Sequence, residues 1–486
     1  MFVKKIALRP LIFGSIFGFS LLISSCGSES ESESRAENKA DVNFKTLAVN
    51  YPGLKVDPPS GIYLPDDREF FLTSKLVYNQ GETIDVFSYN SSSDTYLELI
   101  DNHTDTSIAK KMLPTDRRKK IVYRLNQGFD LRQFNKTTLS IDEPLANQWY
   151  SIVIRSVKSG KDIKSIPIFI EPKVQINDIL FVESTDTLRA YNYSGKLWSY
   201  YNMPQEFGGV FYRPNAQPAN YWFRNSSQKV NFEGVGCRDH LINADAYIQL
   251  SLKDMGYEFD RSSDTFLDKY DNINDYNAII FGSHNEYWTL DKLENVKKFI
   301  DDGGKVLILG GNNFYRWVER TNEGVYIWGS GILKNKWNSE SQTKKIKSID
   351  KLNKLKKVFL NQYLGTYYDT DGYDTYAPYQ DVTNKESIFG IKSELPHCDV
   401  DLKSGNPEPL ATGAAGASGG ETDKIQPGTE GFELIAKGMN PDNGGADLVY
   451  KVFPKNNGAV LNFGSMGLWS YLDDPKITKL IKDFLE

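Results

Sequence analysis

Two side chains able to do chemistry stand close together in Gly282-Ser283-His284-Asn285-Glu286-Tyr287-Trp288. The apolar run Tyr276-Asn277-Ala278-Ile279-Ile280-Phe281 immediately before them predicts a buried strand. Two positions apart on a chain that stays extended, His284 and Glu286 point to the same side. An imidazole and a carboxylate converging at the carboxyl end of a strand supply two-thirds of a facial metal site. In an open α/β sheet, that edge is where ligands bind. His284 and Glu286 are therefore the candidate catalytic and metal-ligating pair. Two plainer roles compete: His284 as a hydrogen-bonded structural histidine, and Glu286 as the cap of a helix starting near Leu290.

A second motif, Gly310-Gly311-Asn312-Asn313, reads as a tight turn where backbone approaches the same place, its amides available to a ligand oxygen. Asn312 and Asn313, with Tyr287 and Trp288, are the candidate pocket residues. The later glycine of a dinucleotide fingerprint is missing, which argues against NAD. Ser283 lacks the Gly-x-Ser-x-Gly setting of a nucleophile elbow, and no cysteine lies near it.

The elements needed to position these residues follow from periodicity. Asp178–Val182 reads as a strand and is followed by a Tyr- and Trp-rich loop, 184–202. Asn243–Met255 has helical spacing closed by Gly256, and Tyr257–Phe259 reads as a short strand. Leu290, Leu293, Val296, Phe299 and Ile300 make an apolar helical stripe, with acids early and lysines late to suit the helix dipole. Strand Val306–Leu309 follows, and strand Ala459–Phe463 with helix Ile477–Phe484 closes the chain. Strand, helix, strand at this spacing predicts a parallel α/β sheet over 173–486. Upstream, residues 43–172 alternate in short runs with turn signals and predict an antiparallel β-sandwich. Residues 322–430 read as an irregular insertion containing a mobile Gly/Ala/Ser loop, Thr412–Gly420. The acids in Asp369-Thr370-Asp371-Gly372-Tyr373-Asp374 read as a solvated turn, since an EF-hand's length and bidentate glutamate are missing.

The formal charge is −6, from 57 basic and 63 acidic residues without a basic block, so nucleic acid is not an expected partner. Cys237 and Cys398 are too few for a structural zinc cluster, and their spacing leaves a disulfide undecided. Lys4, Lys5 and Arg9 precede an uncharged apolar run, Leu11–Ile23, that ends in Ser24-Ser25-Cys26. This pattern resembles a bacterial lipoprotein signal: 1–25 as signal peptide, lipid on Cys26, and 26–42 as a disordered tether. It implies a membrane-anchored, extracytoplasmic protein.

His284-Asn285-Glu286-Tyr287-Trp288, the run Gly303–Tyr315, Thr187–Asn192 with Gly195, and Asn462–Trp469 together resemble the C-terminal region of the N,N-dimethylformamidase large (beta) subunit-like family over roughly residues 176–486. The resemblance implies a glutamine-amidotransferase-like, flavodoxin-like α/β domain. For the dimethylformamidase it also implies mononuclear iron, held by tyrosine, histidine and glutamate, that hydrolyses an amide. Carried over, His284 and Glu286 are ligands, with Tyr191 or Tyr200 as the tyrosine and zinc as the second choice of metal. Phenolate and carboxylate are hard donors that suit ferric iron. The expected activity is hydrolysis of an amide or related C–N bond in a small-molecule or polymer substrate. The competing expectation is a non-catalytic surface lipoprotein that binds glycan or another polymer.

Overall fold

Eight strands form the sheet that carries the motif, and its first five run in one direction. In a computed structural model, residues 150–190, 242–321, 349–369, 375–384 and 415–486 are described continuously, with shorter runs between 56 and 140 and between 324 and 409. The described residues belong to one compact unit. The described chain is mostly β, with several sheets and few helices.

The upstream region contains β1 (Phe70–Thr73), β2 (Val77–Asn79), β3 (Ile84–Tyr89), β4 (Thr95–Asp101), β5 (Thr106–Met112), β6 (Asn135–Leu139), β7 (Tyr150–Ser156) and β8 (Asp162–Glu171). They form a three-stranded sheet, β6-β3-β1, and a five-stranded sheet, β2-β8-β7-β4-β5. Alternating apolar residues such as Val86, Leu97, Leu99, Ile152, Ile154, Ile166 and Ile168 share one core, as expected of two facing sheets. One pair departs from the antiparallel expectation: β2 runs parallel to β8, Val77 opposite Phe169.

Downstream come β9 (Ile179–Glu183), α1 (Thr185–Ala190), α2 (Ile242–Asp254), β10 (Asp260–Ser263), β11 (Ala278–Phe281), α3 (Leu290–Asp301), β12 (Lys305–Ile308), α4 (Ile349–Phe359), β13 (Thr366–Asp369), β14 (Tyr379–Asp381), β15 (Thr422–Ile425), β16 (Glu433–Gly438), β17 (Asp447–Val452), β18 (Ala459–Asn462) and α5 (Pro475–Leu485). The large sheet has the order β10-β9-β11-β12-β18-β17-β16-β14. Strands β10 to β18 in that order are parallel, and β17, β16 and β14 extend the sheet antiparallel. The expected parallel sheet is therefore mixed. Residues 376–452 of the expected insertion and the segment after it supply its last three strands.

Apolar strands buried on both faces explain the continuous runs Ala-Ile-Ile-Phe and Lys-Val-Leu-Ile. One face packs on α3 through Leu293, Val296 and Phe299. The other packs on α2 and α5 through Ile248, Leu252, Ile477 and Ile481. Thr289 caps α3, its hydroxyl accepting from the Lys292 amide at 3.1 Å, so Glu286 is released from that role. Two local readings shift. The strand expected at 257–259 lies at Asp260–Ser263, and the loop expected from Ser184 begins as a helix.

Candidate functional site

The loops that leave the carboxyl ends of β9, β11 and β12 build the site. Strand β11 delivers Gly282–Glu286 into the interior, with His284, Asn285 and Glu286 at most 1% exposed. The Ser283 amide and hydroxyl both donate to Asp245 Oδ1 of α2, each at 2.7 Å. Asn285 Oδ1 accepts from the Ser184 hydroxyl at 2.8 Å, which ties the β11 loop to the end of β9. Residues Tyr287–Trp288 then pair in parallel with Arg316–Trp317.

The loop after β12 runs alongside. The amides of Gly311, Phe314 and Arg316 donate to the carbonyls of Ser283, Asn285 and Glu286 at 3.2, 2.8 and 2.8 Å. A Cβ at Gly310 would fall 2.2 Å from the Ser283 carbonyl oxygen, and one at Gly311 would fall 2.3 Å from that of Glu421. The paired glycines therefore serve close backbone approach. Beyond them, Asn312 and Phe314 have φ of 54° and 56°, a costly left-handed conformation for a phenylalanine.

The third wall comes from the expected insertion. Ala415–Gly420, read from sequence as part of a mobile loop, is strand-paired, with residues 416–419 buried, and it leads into Glu421-Thr422-Asp423. His284 Nε2 lies 3.2 Å from Glu421 Oε2 and 3.5 Å from Glu286 Oε2. Arg316 Nε donates to Glu286 Oε1 at 2.5 Å, and Asn312 Nδ2 donates to Glu421 Oε2 at 2.8 Å. Asp423 accepts from the amides of Asn312 and Asn313 at 2.7 and 3.3 Å, and from Asn313 Nδ2 at 2.9 Å. It therefore clamps the left-handed turn.

Burial alone would push the His284 pKa down, but Glu421, then Glu286 and Asp423, outweigh it and favour the imidazolium. Burial, reinforced by the Glu421 charge, raises Asp423 to about 7 against the pull of its hydrogen bonds. Behind the cluster, burial raises Asp245 to about 6 and Glu183, at the end of β9, to about 8. Burial and the neighbouring Arg316 lower Lys356 of α4 to about 7, and its Nζ donates to the Tyr315 carbonyl at 2.5 Å. Perturbed groups concentrated at one sheet edge make it the candidate functional site.

His284, Glu286, Asn312 and Asn313 are thus brought together. Tyr287 and Trp288 are fully buried, and the Trp288 ring packs in the apolar core beneath α3. Tyr191, Tyr200 and Cys26 lie outside the described residues. Among the described residues, no group of three or more His, Cys, Asp and Glu side chains is arranged to hold a metal ion. Reading the sequence missed Arg316, Tyr368, Glu421, Asp423 and Asp245. Glu421-Thr422-Asp423 repeats the two-residue spacing of His284-Asn285-Glu286, a signal hidden by the neighbouring low-complexity loop.

A mixed α/β sheet with a buried histidine–carboxylate cluster at the carboxyl edge of its parallel strands defines the class. The chain belongs to the N,N-dimethylformamidase beta subunit-like, C-terminal family, whose model matches residues 135–479. The match begins inside the upstream β region, earlier than the motifs indicated. No curated protein matches the chain. Among solved structures it is similar to the mmIFT52 N-terminal domain, at 14% identity over 49% of this chain and 88% of that one, with a TM-score of 0.26. It is also similar to a thua-like protein from Bacteroides uniformis, at 15% identity over 50% and 86%, with a TM-score of 0.28.

Proposed function

We propose that the protein is a metal-dependent hydrolase of an amide or related C–N bond, tethered outside the cytoplasm by lipid on Cys26. The observation that carries this reading is the convergence of Glu286 and Glu421 on Nε2 of His284, at 3.5 and 3.2 Å, with all three side chains buried. An unneeded charge cluster of this kind is costly to maintain. The five parallel strands have the order 2-1-3-4-5 in chain sequence, which supports a flavodoxin-like reading and puts the cluster beside the switch point between β9 and β11.

His284 and Glu286 would hold iron, or zinc, with a tyrosine from outside the described residues, Tyr200 or Tyr191. The described donors fit only as part of such a centre. The ion, when bound, polarises the carbonyl and lowers the pKa of water. Arg316 holds one oxygen of Glu286 and turns the other toward His284. Glu421, 3.2 Å from Nε2, holds the His284 ring in place. Hydrolysis adds water to the carbonyl carbon and breaks the C–N bond, giving a carboxylic acid and an amine.

The test is metal analysis of a soluble form lacking residues 1–39, beside a His284→Ala/Glu286→Ala double variant and the milder Glu286→Gln. Near-stoichiometric iron or zinc that is lost in folded variants supports the reading and opens an amide screen. A folded wild type that takes up no metal after loading overturns it and moves the weight to a polymer-binding surface lipoprotein. Lipid labelling that survives Cys26→Ala would overturn the tether.

A further inference from the structure

Behind the loop that carries His284 stands an acid that the proposed chemistry does not use. Asp245 lies in the first turn of α2, yet it is only 5% exposed. An acid at that position ordinarily serves the helix dipole from the surface. This one is turned inward. Its Oδ1 alone accepts both the amide and the hydroxyl of Ser283, each at 2.7 Å. The carboxylate is pressed so close to the main chain that a Cβ at Gly282 would fall 2.2 Å from the same oxygen. Only glycine leaves room there.

This grip fixes the backbone that presents the histidine. The amide of Ser283 belongs to one planar peptide unit and its carbonyl to the next. Asp245 holds the first plane, and the Gly311 amide, 3.2 Å from the Ser283 carbonyl oxygen, holds the second. With both planes held, the torsions of Ser283 are set, and with them the point from which the His284 side chain departs. On the far side, Ser184 holds Asn285. Ser283 is 1% exposed, so without Asp245 its amide would be buried with no acceptor, and the loop would have to move to find one. The helix that carries Asp245 is itself anchored under the sheet by Ile248 and Leu252. Position therefore passes from the apolar core to the histidine through a single carboxylate oxygen.

We infer that Asp245 is a positioning residue: through Ser283 it sets the placement of the His284 imidazole at the site. This rests on the reading of His284 as a functional side chain and deepens it. A role confined to stability would be shared by any residue that anchors α2, whereas a positioning role belongs to Asp245 and its bonds to Ser283.

The experiment is histidine-ring NMR on the metal-free full chain, followed by zinc titration. The chain has only four histidines, His103, His240, His284 and His397, and His284→Gln assigns the signal. Asp245→Ala should move or split the His284 signal and weaken zinc binding by about tenfold or more. Asp245→Asn keeps an acceptor oxygen and should restore both. Leu252→Ala, on the same helix but in its apolar contact, should leave both near wild type despite its lower stability. If Asp245→Ala does not fold, Ser283→Ala removes only the hydroxyl bond and should still move the signal. A His284 signal unmoved by these variants, moved as much by Leu252→Ala, or not restored by Asp245→Asn overturns the inference. The two readings separate. A wild type that takes up neither zinc nor iron, with a His284 signal moved only by variants at Asp245 and Ser283, retains the positioning and removes the metal. Zinc bound equally by wild type and Asp245→Ala, with the signal unmoved, does the reverse.

Discussion

The β-sandwich and the carboxyl edge of the large sheet are both tightly packed, but with opposite materials. In the sandwich, Val86, Leu97, Leu99, Ile152, Ile154 and Ile166 are 0% exposed, and pairs such as Lys136–Asp85 sit at its rim. At the sheet edge Glu183, Asp245, His284, Glu286, Arg316, Glu421 and Asp423 are all 5% exposed or less. The sandwich gains from nearly every side chain it buries. The edge buries groups that water would hold more cheaply, and it keeps a phenylalanine in a left-handed conformation beside them. One region is thus built from side chains that burial favours, and the other from groups whose charge burial penalises.

Breaking the edge should cost most. Arg316→Met strands the buried Glu286 carboxylate and is expected to lose about 3–5 kcal/mol in urea unfolding. Combining it with Glu286→Gln should restore much of that loss. A loss in the single variant no larger than that of a surface pair would show that the edge is wet and would dissolve the contrast. In the sandwich, Ile152→Ala should cost about 2–4 kcal/mol by cavity formation while leaving metal content and amide binding intact. A fall in either would join the two regions functionally.

The pH dependence sharpens the same comparison. Glu183 has a folded-state pKa of about 8 against an ordinary 4.5, because burial disfavours its charge. Between those values the folded chain holds the proton that the unfolded chain has lost. Stability from this group therefore falls as pH rises through that window, by up to about 1.4 kcal/mol per pH unit. Glu183→Gln should flatten the slope above pH 5, measured as the urea midpoint against pH, whereas Ile152→Ala should shift the whole curve without changing its slope. The smallest effect belongs to the surface: Lys479→Ala removes an exposed pair with Asp483 and should leave the midpoint within error.

Much of the frame was legible in the chain because it is written in local periodicity. The α3 stripe, the runs ending at Phe281 and Ile308, and the alternating strands β3, β4, β7 and β8 lie within a few residues of where the sequence places them. Strand β5 escaped because its exposed, lysine-containing edge has no buried face to produce alternation. Strands β14 to β17 escaped because an irregular, glycine-rich setting masked short segments whose partners are distant.

The site divides in the same way. By itself the sequence determined that His284 and Glu286 leave a buried strand on one side, since two-residue spacing is a property of extended backbone. It also determined that Gly310-Gly311 allows a close approach, since only glycine lacks the Cβ that would clash. Only the tertiary structure decided what stands opposite. Glu421 meets Asn312 across 109 residues of chain, and Tyr368 faces Asp423 through a strand pairing that no local pattern encodes. Burial then set the charges. The side chains of Asp423 and Glu183 are ordinary acids in sequence, and desolvation within the packed fold moved their proton affinities into the range where chemistry near neutral pH is done.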